Sequence, residues 1–175
     1  MNLERNLIDN ILESEVKLGH ADMPITFYYP SASLSELLGC DESELESEIL
    51  KFCEEEADRF GKITIEELAN EKGRYAVTVP VYGVKWVHDN FEPGDFMKSF
   101  ITEIKKPFNT IDNIINLFRC YSKETEVNQV SEDEWSLSFS DESIDPYVYH
   151  VEKNVFGLEY HRFTREAYRK TILEE

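Results

Sequence analysis

Basic residues are scarce in this chain of 175 residues, where 18 Lys and Arg face 36 Asp and Glu. The formal net charge is −18 and the pI is near 4.6, so the summed field repels phosphate backbones and anionic lipid. Cysteine is scarce as well. Cys40, Cys53 and Cys120 are odd in number, widely spaced and never arranged as C-x-x-C, which speaks against a disulfide framework and a zinc ribbon and favours a reducing compartment. No apolar run approaches the ~18 residues of a membrane span. The segment Met1–Leu7 carries Glu4 and Arg5 where a signal peptide would carry an apolar core. These absences predict a cytoplasmic protein with no membrane contact.

Catalytic signatures are also missing. The sequence has no G-x-S-x-G elbow and no Gly-rich loop leading into Lys-Ser/Thr, and its carboxylates lack the spacing of an EF-hand around a central glycine. The expectation is therefore no catalytic residue, no cofactor and no metal. Cys53 lies on an apolar helical stripe, where packing is a better use for it than reactivity.

What is present argues for order. Aromatic residues make up 13% of the chain, with 11 Phe, 9 Tyr and 2 Trp, far from the composition of a disordered acidic segment. The length suits one ordinary domain or two small ones.

Leu3, Leu7, Ile8, Ile11, Leu12 and Val16 recur at helical spacing up to Gly19, a helix stop. Ile25–Tyr29, between Pro24 and Pro30, reads as an edge strand. Ser33 with Glu36 reads as a capping box for a short helix ending at Gly39. Asp41 with Glu44 supplies a second cap for one longer helix, whose stripe is Leu45, Ile49, Phe52, Cys53, Ala57 and Phe60. Ile63–Ile65 and Tyr75–Val79 pair around the polar tip Asn70–Gly73, and Pro80 and Gly83 limit the ladder beyond.

From Phe91 the pattern restarts. Phe96, Met97, Phe100, Ile101 and Ile104 mark one helix, and Thr110–Tyr121 a second. Four antiparallel strands follow at Thr125–Val130, Trp135–Phe139, Tyr147–Val151 and Val155–Phe163, the last two joined by a turn at Lys153-Asn154. Thr164 opens a terminal helix through Tyr168 and Ile172.

With that turn, His150 lies opposite Gly157, and His161 four residues further along the strand. At a rise of about 3.3 Å per residue the two imidazoles stand some 13 Å apart, too far to share a zinc ion. Tyr147, Tyr149, Val151, Phe156, Leu158 and Tyr160 share the opposite, apolar face, which the helices at Phe96–Ile104 and Ile111–Phe118 are placed to cover. Arg162, Arg165, Arg169 and Lys170 form a basic cluster expected to answer the chain's own acidic surface or a dimer mate. His88 next to Asp89 reads as a surface pair, and His20 as a helix-end residue.

The order helix, strand, short helix, longer helix and hairpin, carried by Ser33–Leu45 and by Ile63–Val79, resembles the winged helix-turn-helix superfamily over about residues 1–90. The expected fold is α+β: a winged-helix-like domain over 1–90 and, over 91–175, an α+β domain of two helices, a four-stranded antiparallel sheet and a terminal helix, packed together as one compact unit. The whole chain also resembles a small bacterial family of unknown function through Val84–Asn90 and Tyr160–Thr164.

In a winged helix that reads DNA, the second helix of the pair enters the major groove. Here that region, Asp41 to Asp58, holds nine carboxylates against Lys51, a net of −8. Nucleic acid is thus disfavoured through this surface. The leading functional reading is a non-enzymatic protein-interaction or regulatory module, its contact formed by Glu42, Glu46, Glu48, Glu55 and Glu56 and its partner a protein with a basic surface. The alternative is a nucleic-acid-binding transcriptional regulator using a less acidic face. An enzyme with a pocket assembled from distant residues comes third.

Overall fold

A computed structural model describes residues 2–20 and 22–173 and shows an α+β protein. The chain divides into two compact units, Met1–Pro93 and Gly94–Glu175.

In the first unit, helix α1 (Leu3–Leu18) begins at Asn2, whose side chain accepts a hydrogen bond from the Arg5 amide at 3.0 Å, and ends at Gly19 with φ +87°. It buries Leu3, Leu7, Ile8, Ile11 and Leu12, the predicted stripe. Strand β1 (Ile25–Pro30) runs straight into α2 (Ser31–Leu38). The capping box expected at Ser33 and Glu36 is replaced by an earlier start. Pro30, its φ already near the helical value at −60°, occupies the N-cap, and Ser31 Oγ donates to Glu42 Oε2 at 2.6 Å. Gly39 closes α2 at the end read from sequence, in the left-handed region at φ +71°.

A 3-10 turn, Glu42–Glu44, leads into α3 (Leu45–Glu55). It is closed by the Glu44 amide on the Asp41 carbonyl at 2.9 Å, where a side-chain cap was expected. The single long helix expected here is broken. Glu56 leaves helical geometry at φ −94°, ψ 2°, and a short α4 (Ala57–Phe60) restarts from its carbonyl. Leu45, Ile49 and Phe60 nevertheless stay buried.

Strands β2 (Thr64–Glu67) and β3 (Arg74–Val79) form the expected hairpin, with Gly73 at φ +80° in its tip. The sheet order is β1-β3-β2, fully antiparallel, with Val77 opposite both Phe27 and Ile65. Beyond it the chain forms α5 (Val81–Asn90), a helix the sequence reading missed because Pro80 and Gly83 looked like breakers. Pro80 is its N-cap. Gly83 lies flat against Phe60, where a side chain would not fit. Helix α5 packs on α1, α4 and β3.

The second unit holds α6 (Asp95–Ile104), α7 (Ile111–Tyr121) and a sheet of order β4-β5-β6-β7, formed by Thr125–Ser131, Glu134–Phe139, Val148–Asn154 and Gly157–Phe163. The predicted apolar face is its core. Phe96 and Phe100 of α6 and Phe118 of α7 meet Phe139 and Tyr149 with ring centroids 4.5–5.6 Å apart. Thr164 caps the short helix α8 (Arg165–Tyr168), which runs into a π-helical turn, Arg169–Leu173.

The β6–β7 turn sits two residues later than expected. Asn154 Oδ1 accepts from the Phe156 amide at 2.8 Å, and Gly157 supplies φ +133°, so Val155-Phe156 forms the tip. His150 is therefore directly opposite His161, not Gly157, and the 13 Å separation does not exist. A shift of two keeps each residue on its face, so Tyr149, Val151, Leu158 and Tyr160 still face one way. Phe156 alone leaves that face, 92% exposed at the tip.

Candidate functional site

Three groupings of charged or metal-competent side chains stand out. The first is the acidic face around α3. Glu42, Glu46 and Glu55 are exposed, together with Asp41, Glu44, Glu54 and Asp58, while Glu48 is half-buried and pairs with Lys51 at 3.3 Å. Glu56 does not belong to this face. It is 7% exposed, turned inward at the α3–α4 break and paired with Arg59 at 3.2 Å, while Arg59 also contacts Glu4. Burial, and then the charge of Glu4, push the Glu56 carboxyl above its ordinary value against the opposing pull of Arg59.

In the midst of the exposed carboxylates stands Leu50, 67% exposed, one helical turn from Glu46 and one from Glu54. Across α3 from Leu50, a groove of about 190 Å³ is lined by Leu37, Leu38 and Phe52 and by Glu4, Glu48, Lys51 and Glu55. Cys53 is half-buried and its thiol is pushed up by burial; Cys40 is pushed up by burial and by Glu48, Glu44 and Asp41. Neither environment activates a thiol.

The second grouping joins residues that sequence reasoning kept apart. His20, just past the end of α1, turns its ring onto His88 of α5, with Nδ1 facing Nδ1 at 2.5 Å and ring planes at 68°. Glu15, in the last turn of α1, places one carboxylate oxygen 3.9 Å from His20 Nδ1 and the other 4.0 Å from His88 Nδ1. Asp22 stands 3.6 Å from His20 Nε2. The His88 side chain is 5% exposed, and among the described residues its buried Nε2 has no hydrogen-bond partner. Burial holds His88 below its ordinary value, opposed by Glu15. With 68 positions between the imidazoles and α5 unrecognised, no local spacing announced this pair.

The third grouping lies on the sheet face of the second unit that turns away from the ring cluster and toward Tyr168 of α8. His150, 5% exposed at its side chain, faces Glu152 at 3.4 Å through Nε2, and Glu134 is the cross-strand partner of Glu152. On this face, among the described residues, Glu134, His150 and Glu152 approach one another as metal ligands would; His161, though opposite His150, is exposed and not among them. The basic cluster is largely spent inside this unit. Arg165 pairs with Glu142 at 3.0 Å and Glu126 at 3.7 Å, Lys170 with Glu166 at 3.2 Å, and Arg162 lies 4.1 Å over the Tyr147 ring.

Among the described residues no helix is long and apolar enough to cross a membrane. Neither a curated protein nor a solved structure matches the chain. One family model does, over residues 1–172, and its description carries no activity. The chain belongs to that family, described as a domain of unknown function, E. rectale gene description (DUF3877), in keeping with the resemblance of the whole chain to a family without an assigned role.

Proposed function

We propose that this protein is a non-enzymatic interaction or regulatory module whose N-terminal unit is a winged-helix domain adapted to bind protein. Its contact is the acidic face of α3, and its partner carries a basic surface. The sheet order β1-β3-β2, with α2 and α3 between β1 and the hairpin, supports the winged-helix reading. The position that would enter a DNA groove presents Glu42, Glu46 and Glu55, which supports a partner other than nucleic acid.

The observation that carries the proposal is Leu50. An exposed leucine with Glu46 and Glu54 one helical turn to either side has the layout of an interface centre, apolar in the middle and polar at the rim. A separate groove across α3 has an apolar floor and carboxylates at Glu4, Glu48 and Glu55, with Lys51 already paired to Glu48, and suits the aliphatic stem of a partner's long side chain. The charges then steer encounter and select the partner, while Leu50 supplies buried area.

Affinity capture from source-cell lysate tests this, comparing wild type, the triple variant Glu42→Gln/Glu46→Gln/Glu48→Gln, and Leu50→Asp, each with and without nuclease. A nuclease-resistant protein retained by wild type and lost from both variants is the expected result. Recovery that is equal across all three, or that vanishes with nuclease, overturns the reading.

A further inference from the structure

We propose that Glu15, His20 and His88 form a binding site for a divalent transition-metal ion of the zinc type. Two imidazole nitrogens and a carboxylate are a donor set that Zn²⁺ accepts, three protein ligands leaving the fourth position to water. In a tetrahedral site with bonds near 2.0–2.1 Å, ligand atoms stand about 3.3 Å apart. The two imidazole nitrogens stand 2.5 Å apart, closer than that value, while Glu15 places one oxygen 3.9 Å from His20 and the other 4.0 Å from His88, and one donor atom from each residue lies within 4.8 Å of the other two. Rotation of the exposed His20 ring and of the Glu15 carboxylate brings such a set to tetrahedral spacing.

The surroundings match the donor set. Asp22 faces the other nitrogen of His20, the place where a carboxylate commonly orients a metal-bound imidazole and fixes Nδ1 as the ligating atom. His88 is held by burial on α5, whereas His20 is 53% exposed and leaves a path for an ion to enter. Without a cation the two facing Nδ1 atoms must share a proton, because both lone pairs otherwise point at each other. The Glu134, His150 and Glu152 group offers a single imidazole, a weaker set for such an ion.

Zn²⁺ titration of untagged full-length protein by calorimetry, with visible absorption of the Co²⁺-loaded form, tests the proposal. Wild type is expected to bind one ion per chain at this site and to give the spectrum of a low-coordinate Co²⁺ centre. His20→Ala and His88→Gln are expected to weaken this binding at least tenfold, and Asp22→Asn, acting through His20, by about 10–100-fold. His150→Gln is expected to leave it unchanged. Since His88 is buried, the exposed His20→Ala variant keeps the test decisive if His88→Gln fails to fold. Absence of stoichiometric binding, or binding that persists in His20→Ala and is lost in His150→Gln, overturns the assignment.

Discussion

Gly83 of α5 lies against the backbone of Phe60 so closely that a Cβ at position 83 would stand 2.5 Å from the Phe60 carbonyl oxygen and 2.9 Å from its Cα. Both obstacles are backbone atoms, so the clash is not relieved by a side-chain rotation. Gly83→Ala is expected to destabilise the fold by about 1–3 kcal/mol, although alanine is the better helix former. Chemical denaturation of the two proteins measures the difference.

Tyr29 ties β1 to α1. Its hydroxyl donates to Asn6 Oδ1 at 2.7 Å and accepts from Asn10 Nδ2 at 3.0 Å. Tyr29→Phe keeps the ring and removes the hydroxyl, at an expected cost of about 0.5–1.5 kcal/mol. The unfolding midpoint is expected to fall with the slope of the denaturant curve unchanged.

Glu56 gives the acidic unit a pH dependence of definite sign. Its carboxyl is raised in the folded state, by burial first, so the folded chain favours the protonated form. Its favourable contribution is complete below the ordinary carboxylate value and is lost as pH rises through the raised one. Glu56→Gln, which stays neutral, is expected to gain stability relative to wild type between acidic and neutral pH. Thermal unfolding of both proteins across that interval checks the direction.

Phe156 shows how a large aromatic residue can carry no packing energy. At 92% exposure on the hairpin tip, Phe156→Ser is expected to change stability by no more than about 0.5 kcal/mol. Phe100→Ala, within the ring cluster against Tyr149 and Tyr160, is expected to cost about 3–5 kcal/mol. Denaturation of the two variants side by side separates a decorative aromatic from a structural one.

Apolar spacing carried most of the architecture. The stripes of α1, α3, α6 and α7 were readable because 3.6-residue periodicity survives wherever a helix has one buried side, and Gly39 and Gly73 marked real positive-φ positions. Helix α5 escaped because Pro80 and Gly83 have two meanings. A proline starts a helix as readily as it ends a strand, and a glycine can serve close packing instead of a turn. The break at Glu56 was hidden because Ala57 and Phe60 continue the stripe of α3 in phase. The acidic face was legible from composition, but not that Glu56 turns inward, since its place depends on Glu4 and Arg59. The meeting of His20 with His88 depends on how α1 and α5 pack, which no local pattern encodes.

The tip at Val155-Phe156 has a consequence for how this gene can change length. Because Val155 and Phe156 lie outside the β6–β7 ladder and face water, a residue added here lengthens the loop and leaves Val151 opposite Tyr160 and Lys153 opposite Leu158. A codon gained within β7 ahead of Leu158 would instead turn every later side chain to the other face, carrying Tyr160 away from the aromatic core and His161 into its place. Length variation among related genes is therefore expected to gather at this tip and to spare the strands on either side.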